Sequence, residues 1–180
     1  TTRHGVGAYV SRFALITRSS PGRLAKEQWG EGKMIQDADT GPRVRTVDVV
    51  VAEVVAPEFV ASALGVKAGA RVLSRSRRFL VEDRPVQLAT SYFVIKMVRG
   101  TPITYTDSGP GGVYARLADL GHAPARFAER VTARAHRPDE SVALALPASD
   151  GLVFEITRFA YDAEGRCVEV NVMILDVAAY

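Results

Sequence analysis

Cysteine is almost missing from this chain: Cys167 is the single one in 180 residues. A lone thiol closes no internal disulfide, which excludes a cross-linked secreted scaffold and points to a reducing cytoplasm. Histidine is sparse as well. His4, His122 and His136 show neither zinc-ligand nor triad spacing, no Cys/His pair marks a metal site, and no nucleophile elbow occurs. The sequence therefore implies no cofactor, no metal and no catalytic residue. No apolar run approaches the roughly 20 residues that span a bilayer. The opening Thr1-Thr2-Arg3-His4-Gly5 holds no signal-peptide core. A net charge of +3, with no Lys/Arg cluster, gives no main nucleic-acid surface.

What is present fits one soluble domain with a sizeable core, since 47% of residues are hydrophobic and 24% charged. Residues 1–12 and 13–42 read as a lead-in. Ser19-Ser20-Pro21-Gly22 and Asp37–Pro42 mark loops, and Arg23–Trp29 has room for a short helix. The body is 43–180, and it repeats itself. Val44–Ala56 is a β-branched strand, Pro57-Glu58 opens a helix to about Leu64, and Val72–Val81 turns back into Val86–Phe93 as a hairpin. The second pass has the same order: Ala125–His136 extended, Pro138-Asp139-Glu140 opening a helix, then Leu152–Tyr161 turning into Cys167–Leu175. Arg78-Phe79 looks like Arg158-Phe159, and Arg84–Gln87 looks like Arg166–Glu169. A duplicated strand–helix–hairpin unit predicts an α+β fold, with a mostly antiparallel six-stranded sheet and helices packed on one face.

Side-chain alternation then places candidate residues. Arg75, Arg77 and Phe79 share one face of their strand. Two guanidiniums there suit a carboxylate or phosphate, or they form a solvated edge, and both readings stand. On the last strand Val168, Val170, Val172 and Ile174 face the core, whereas Glu169 and Asn171 face the other way. As acceptor and mixed donor–acceptor these two suit ligand hydroxyls or amines, unless they are a plain surface. Asp107-Ser108-Gly109-Pro110-Gly111-Gly112-Val113-Tyr114 feeds a helix carrying Val113, Leu117 and Leu120. Such a loop exposes backbone N–H groups to an anion or carbonyl, though it lacks the Gly-Lys-Ser/Thr ending of a P-loop.

Three segments in order carry a resemblance: Arg84–Phe93, Asp107–Leu117 and Ala160–Val170. Together they resemble the effector-binding (UTRA) domain of GntR-family regulators of the HutC type. Arg3–Val10, with Gly5, Gly7 and Tyr9, resembles the wing of that family's winged helix-turn-helix, placing the chain's start just inside a DNA-binding domain. The resemblance implies a chorismate-lyase-like fold, a homodimer, and a repressor whose operator DNA is met through the N-terminal domain and released or bound under control of a small metabolite. Family members that sense phosphorylated amino sugars use two arginines, two glutamates, a serine and a tyrosine. Arg77 matches the first arginine and Glu169 the late glutamate. Phe79, Ala89, Gly112 and Leu175 stand where the second arginine, the other glutamate, the serine and the tyrosine belong. Those departures suggest a larger, less charged effector with an apolar part beside an anionic or polar group. The expected pocket collects Arg75, Arg77, Phe79, Gly111, Glu169 and Asn171, with Tyr92, Gly112 and Tyr114 on its rim. A chorismate-lyase-like enzyme and a ligand-free dimerisation module are the competing readings, and the Gly-Val-Gly opening favours the sensor.

Overall fold

A computed structural model describes residues 2–3, 7–8, 14–18, 24–30, 44–147 and 151–180. Gly5, Tyr9 and the two loop clusters of the lead-in lie outside them. Thr2–Arg3 (β1) and Gly7–Ala8 (β2) pair antiparallel, Arg3 opposite Gly7. Lys26–Gly30 forms a short helix, α1. The body then runs Val44–Val55 (β3), Glu58–Leu64 (α2), Arg71–Val81 (β4), Arg84–Phe93 (β5), Ile95–Val98 (α3), Gly112–Asp119 (α4), Arg126–Ala135 (β6), Pro138–Leu144 (α5), Leu152–Tyr161 (β7) and Cys167–Asp176 (β8). No helix among the described residues is long and apolar enough to cross a membrane.

The six long strands form one antiparallel sheet in the order β3-β4-β5-β8-β7-β6. The duplication is visible in that order. Each strand–helix–hairpin unit supplies three adjacent strands, and the units meet where β5 pairs with β8. Their helices are exchanged across this seam, because α2 packs on β8 and α5 packs on β5. Both helices lie on one face. Val60, Ala61 and Leu64 of α2 pack with Val72, Val170, Tyr92 and Phe159, and Leu144 of α5 packs with Ile174, Leu88 and Val172. The connector between the units, with α4, covers the opposite face: Tyr114 and Leu117 pack with Trp29, Leu73, Phe93 and Ala160.

The strand register fixes which residues of the two hairpins are equivalent. Each hairpin has one irregularity, between Phe79 and Leu80 in the first and between Ala160 and Tyr161 in the second. Counting back two from each gives Arg77 and Arg158, so the look-alike Arg78-Phe79/Arg158-Phe159 is out of step by one. Arg78 points to the other face, where it donates to the Ala143 carbonyl (3.2 Å) and pairs with Asp48 (2.6 Å). The irregularities also move two valines. Val86 and Val168 are the extra residues, so Val168 leaves the alternation and packs beside Tyr114 and Leu117 rather than with Val170.

Candidate functional site

Strand alternation and the connector together enclose a cavity of about 60 Å³ on the α4 side of the sheet. Its floor is Arg75, Arg77 and Phe79 of β4, Glu169 and Asn171 of β8, and Arg158 of β7; Ser108, Gly111, Gly112, Val113 and Tyr114 form the roof, and Thr46 closes one side. The roof needs its glycines. Gly109, Gly111 and Gly112 all have φ between 64° and 77°, the left-handed region that other side chains enter at a cost. Three such positions in four residues turn the chain sharply over the cavity and start α4. The Gly112 amide is already taken by the Gly109 carbonyl (3.0 Å).

The two neighbouring arginines of β4 do different work. Arg75 is 4% exposed, and its terminal nitrogens donate to the carbonyls of Tyr105 and Thr106. It therefore ties the connector to the sheet. Burial, and then the nearby Arg77 charge, lower its pKa to about 10 against the pull of Asp107, so it stays cationic at neutral pH. Arg77 has only neutral partners: one terminal nitrogen donates to the Arg75 carbonyl (3.1 Å) and to Ser91 Oγ (3.0 Å). No carboxylate among the described residues forms an ion pair with it. Burial lowers its pKa most, Glu169 and Tyr114 oppose, and Arg158 adds to the lowering.

Tyr114 joins roof to floor. Its hydroxyl donates to Glu169 Oε2 at 2.7 Å in a fully buried contact, while its ring meets Trp29 edge-on (6.4 Å between centroids) and Phe127 at 5.4 Å. Burial and the Glu169 carboxylate push the phenol's pKa up, so it remains a proton donor. Asn171 Oδ1 is buried with no hydrogen-bond partner. The cavity thus offers a cation with no direct ion pair among the described residues, a buried carboxylate and an unused acceptor.

Of the residues expected from sequence, Arg75, Arg77, Phe79, Gly111, Gly112, Tyr114, Glu169 and Asn171 meet around this one space. Tyr92 does not. It pairs with Ser74, one residue out of phase with the Arg75–Ser91 pair, and therefore lies on the other face under α2. The sequence reading missed Thr46, Ser108, Val113 and Arg158; aligning the hairpins by register would have exposed Arg158. Phe79, Ala89 and Leu175, at three of the four departures, pack with Met173 and Ile156 into a core cluster instead of widening the pocket. A space of this size holds a handful of waters or a compact polar group.

A second hollow of about 390 Å³ lies at the sheet end, between Leu64, Val94, Met97, His122, Arg166 and Cys167. Its charged groups are already spent, since buried Asp162 takes both His122 Nδ1 (3.2 Å) and Arg166 Nε (2.9 Å). The first cavity is the candidate site.

Solved structures of GntR-family regulators and their effector domains share this fold. The full PhnF of Mycobacterium smegmatis superposes with a TM-score of 0.67 at 23% identity, over 76% of this chain and 59% of that one. The effector domain of PhnF alone gives 0.65 at 22%, over 74% and 81%, and a GntR-family transcriptional regulator from Bacillus cereus gives 0.64 at 18%, over 77% and 94%. In sequence, an uncharacterized HTH-type transcriptional regulator of Streptomyces coelicolor is 30% identical over 174 residues, covering 92% of this chain. The chain spans 64% of that relative's length. The UTRA domain family matches residues 40–180, and the chain belongs to that family.

Proposed function

We propose that this chain is the effector-sensing part of a bacterial transcriptional repressor, and that the roofed cavity binds a compact metabolite whose anionic group is taken by Arg77. The observation that carries the reading is the Arg77 guanidinium, which lines the cavity with only neutral hydrogen-bond partners and no direct ion pair among the described residues. A cation so placed is poorly solvated and unpaired, and a carboxylate or phosphate relieves both costs through charge-assisted hydrogen bonds. Phe79 and Val113 give the bound molecule an apolar wall, and Glu169 with Asn171 gives its hydroxyl or amine an acceptor. The cavity binds and does not turn over.

Control of DNA follows from linkage. A ligand that binds the roofed state better than an open one shifts the population towards it, and the roof is built from the connector that joins the two sheet halves. We take the repressor to be a homodimer, matching two-fold operators, with the paired β1 and β2 belonging to the wing of its DNA-binding head, for which the sequence offers Gly5, Gly7 and Tyr9. The test uses the longer regulator. A metabolite that raises the melting temperature of this domain should change the regulator's operator affinity in a mobility-shift assay. Operator binding that ignores every such metabolite would overturn the sensing role, and a monomer by light scattering would overturn the dimer.

A further inference from the structure

The repeat puts a second arginine in the cavity, and its surroundings differ from those of the first. Arg158 is 2% exposed. Its Nε and one terminal nitrogen lie 2.8 and 2.7 Å from the same oxygen, Glu129 Oε1, on edge strand β6. Both contacts fall on one oxygen, so this is not the two-oxygen fork that satisfies a guanidinium. The terminal nitrogen is in fact buried without a well-formed hydrogen bond. Asn171, whose Oδ1 also lacks a partner, sits directly opposite Arg158 in the sheet.

The two arginines stand on the same face of the sheet, with β5 and β8 between their strands. Arg77 pairs with Ala89, Ala89 with Met173 and Met173 with Ile156, and Arg158 stands two residues from Ile156 on the same face. Three inter-strand steps of roughly 4.8 Å separate their strands by about 14 Å. Both arginines line the cavity, Arg77 from β4 and Arg158 from β7, with Glu129 on the side of Arg158 away from Arg77.

We propose that Arg158 is a second anion-contacting residue, and that the ligand's anionic group is clamped between Arg77 and Arg158 while Glu129 acts as a resident counter-ion. This rests on the reading of the cavity as the effector site. A clamp gives an incoming anion two cations in one small cavity, Arg77 without an ion pair and Arg158 with one terminal nitrogen unsatisfied. A carboxylate or phosphate suits such a clamp, because its separate oxygens can each accept from one guanidinium.

Inorganic phosphate is a sufficient probe. Thermal unfolding of the chain is followed in rising phosphate, against sodium chloride at matched ionic strength. Phosphate should raise the melting temperature of the unaltered chain, and Arg77→Gln and Arg158→Gln should each weaken the apparent affinity by about tenfold or more. Glu129→Gln leaves Arg158 uncompensated, so its phosphate-induced rise should exceed that of the unaltered chain, a gain that a purely structural Glu129 would not give. Should Arg158→Gln fail to fold, the double variant R158Q/E129Q removes both charges together and answers the same question. Undiminished phosphate binding in R158Q or R158Q/E129Q, with loss in R77Q, overturns the clamp and leaves the Arg77 reading intact. Loss in neither overturns both. A rise in E129Q no greater than that of the unaltered chain overturns the counter-ion role, and no phosphate effect on the unaltered chain overturns the clamp.

Discussion

The two units of the sheet have the same element order and brace themselves differently. In the second unit Arg158 is paired with Glu129, and α5 is fastened at its start: Glu140 accepts from the Arg137 amide (2.7 Å) and from both terminal nitrogens of Arg134 (2.6 and 2.7 Å), which also reaches Glu155. In the first unit Arg77 has no ion pair, and α2 begins at Pro57 with no side-chain cap. One copy of the repeat is tied down by charge networks. The other leaves its equivalent arginine to the cavity. The two units are similar frames, and the difference between them is what the proposed site at Arg77 rests on.

The largest expected effect breaks the bracing. Glu140→Ala removes the cap and both terminal-nitrogen contacts of Arg134, whose side chain is only 24% exposed and keeps Glu155 as its remaining carboxylate partner. Loss of about 2–3 kcal/mol in urea unfolding is expected, whereas exposed Glu58→Ala at the other helix start should cost about 0.5 kcal/mol or less. Equal costs would erase the contrast. The same contact has a pH signature. The Arg134 hydrogen bonds, acting against burial and helped by the Arg137 amide, hold the Glu140 carboxyl below its usual range. A depressed folded pKa means the stabilisation is complete above the unfolded value of about 4.3 and is lost as pH falls through the lower folded value. The stability gap between the unaltered chain and Glu140→Ala should therefore close between neutral pH and strong acid. A gap that stays constant would place the cap's contribution elsewhere.

In the open unit the effect should appear in binding. Arg77→Ala should cost about 2 kcal/mol of effector affinity or more, measured by calorimetry, while changing stability little because the residue anchors no ion pair. Arg77→Lys should also bind more weakly, since an ammonium cannot reproduce the fork. The smallest effect belongs to the roof. Tyr114→Phe deletes the donor to Glu169 and should cost about 1–1.5 kcal/mol of stability, because the ring keeps its contacts with Trp29 and Phe127. A neutral Tyr114→Phe would mean that Glu169 is satisfied without it.

Much of this was legible in the chain. The Pro-acid helix starts and the paired hairpins revealed the repeat, and alternation put Arg75, Arg77 and Phe79 on one face and Glu169 with Asn171 on another that turned out to be the same side of the sheet. Alternation fails where a strand is irregular. The extra residues Val86 and Val168 shift the count on β5 and β8, the look-alike pairs Arg78-Phe79 and Arg158-Phe159 hide the equivalence of Arg77 and Arg158, and the phase of Tyr92 relative to Ser91 excludes it from the pocket. Nor could patterning say how charges are shared. Arg75 and Arg77 look alike in sequence, yet one is consumed by two backbone carbonyls that only the folded connector brings within reach.

The central claim is that the cavity at Arg77 takes a compact anion-bearing effector. Its most direct test is a melting-temperature screen of small metabolites on the unaltered chain and on Arg77→Ala side by side. Stabilising compounds should carry a carboxylate or phosphate and should lose most of their effect in Arg77→Ala. Compounds that stabilise both proteins equally, or stabilisers that are all uncharged, would contradict it.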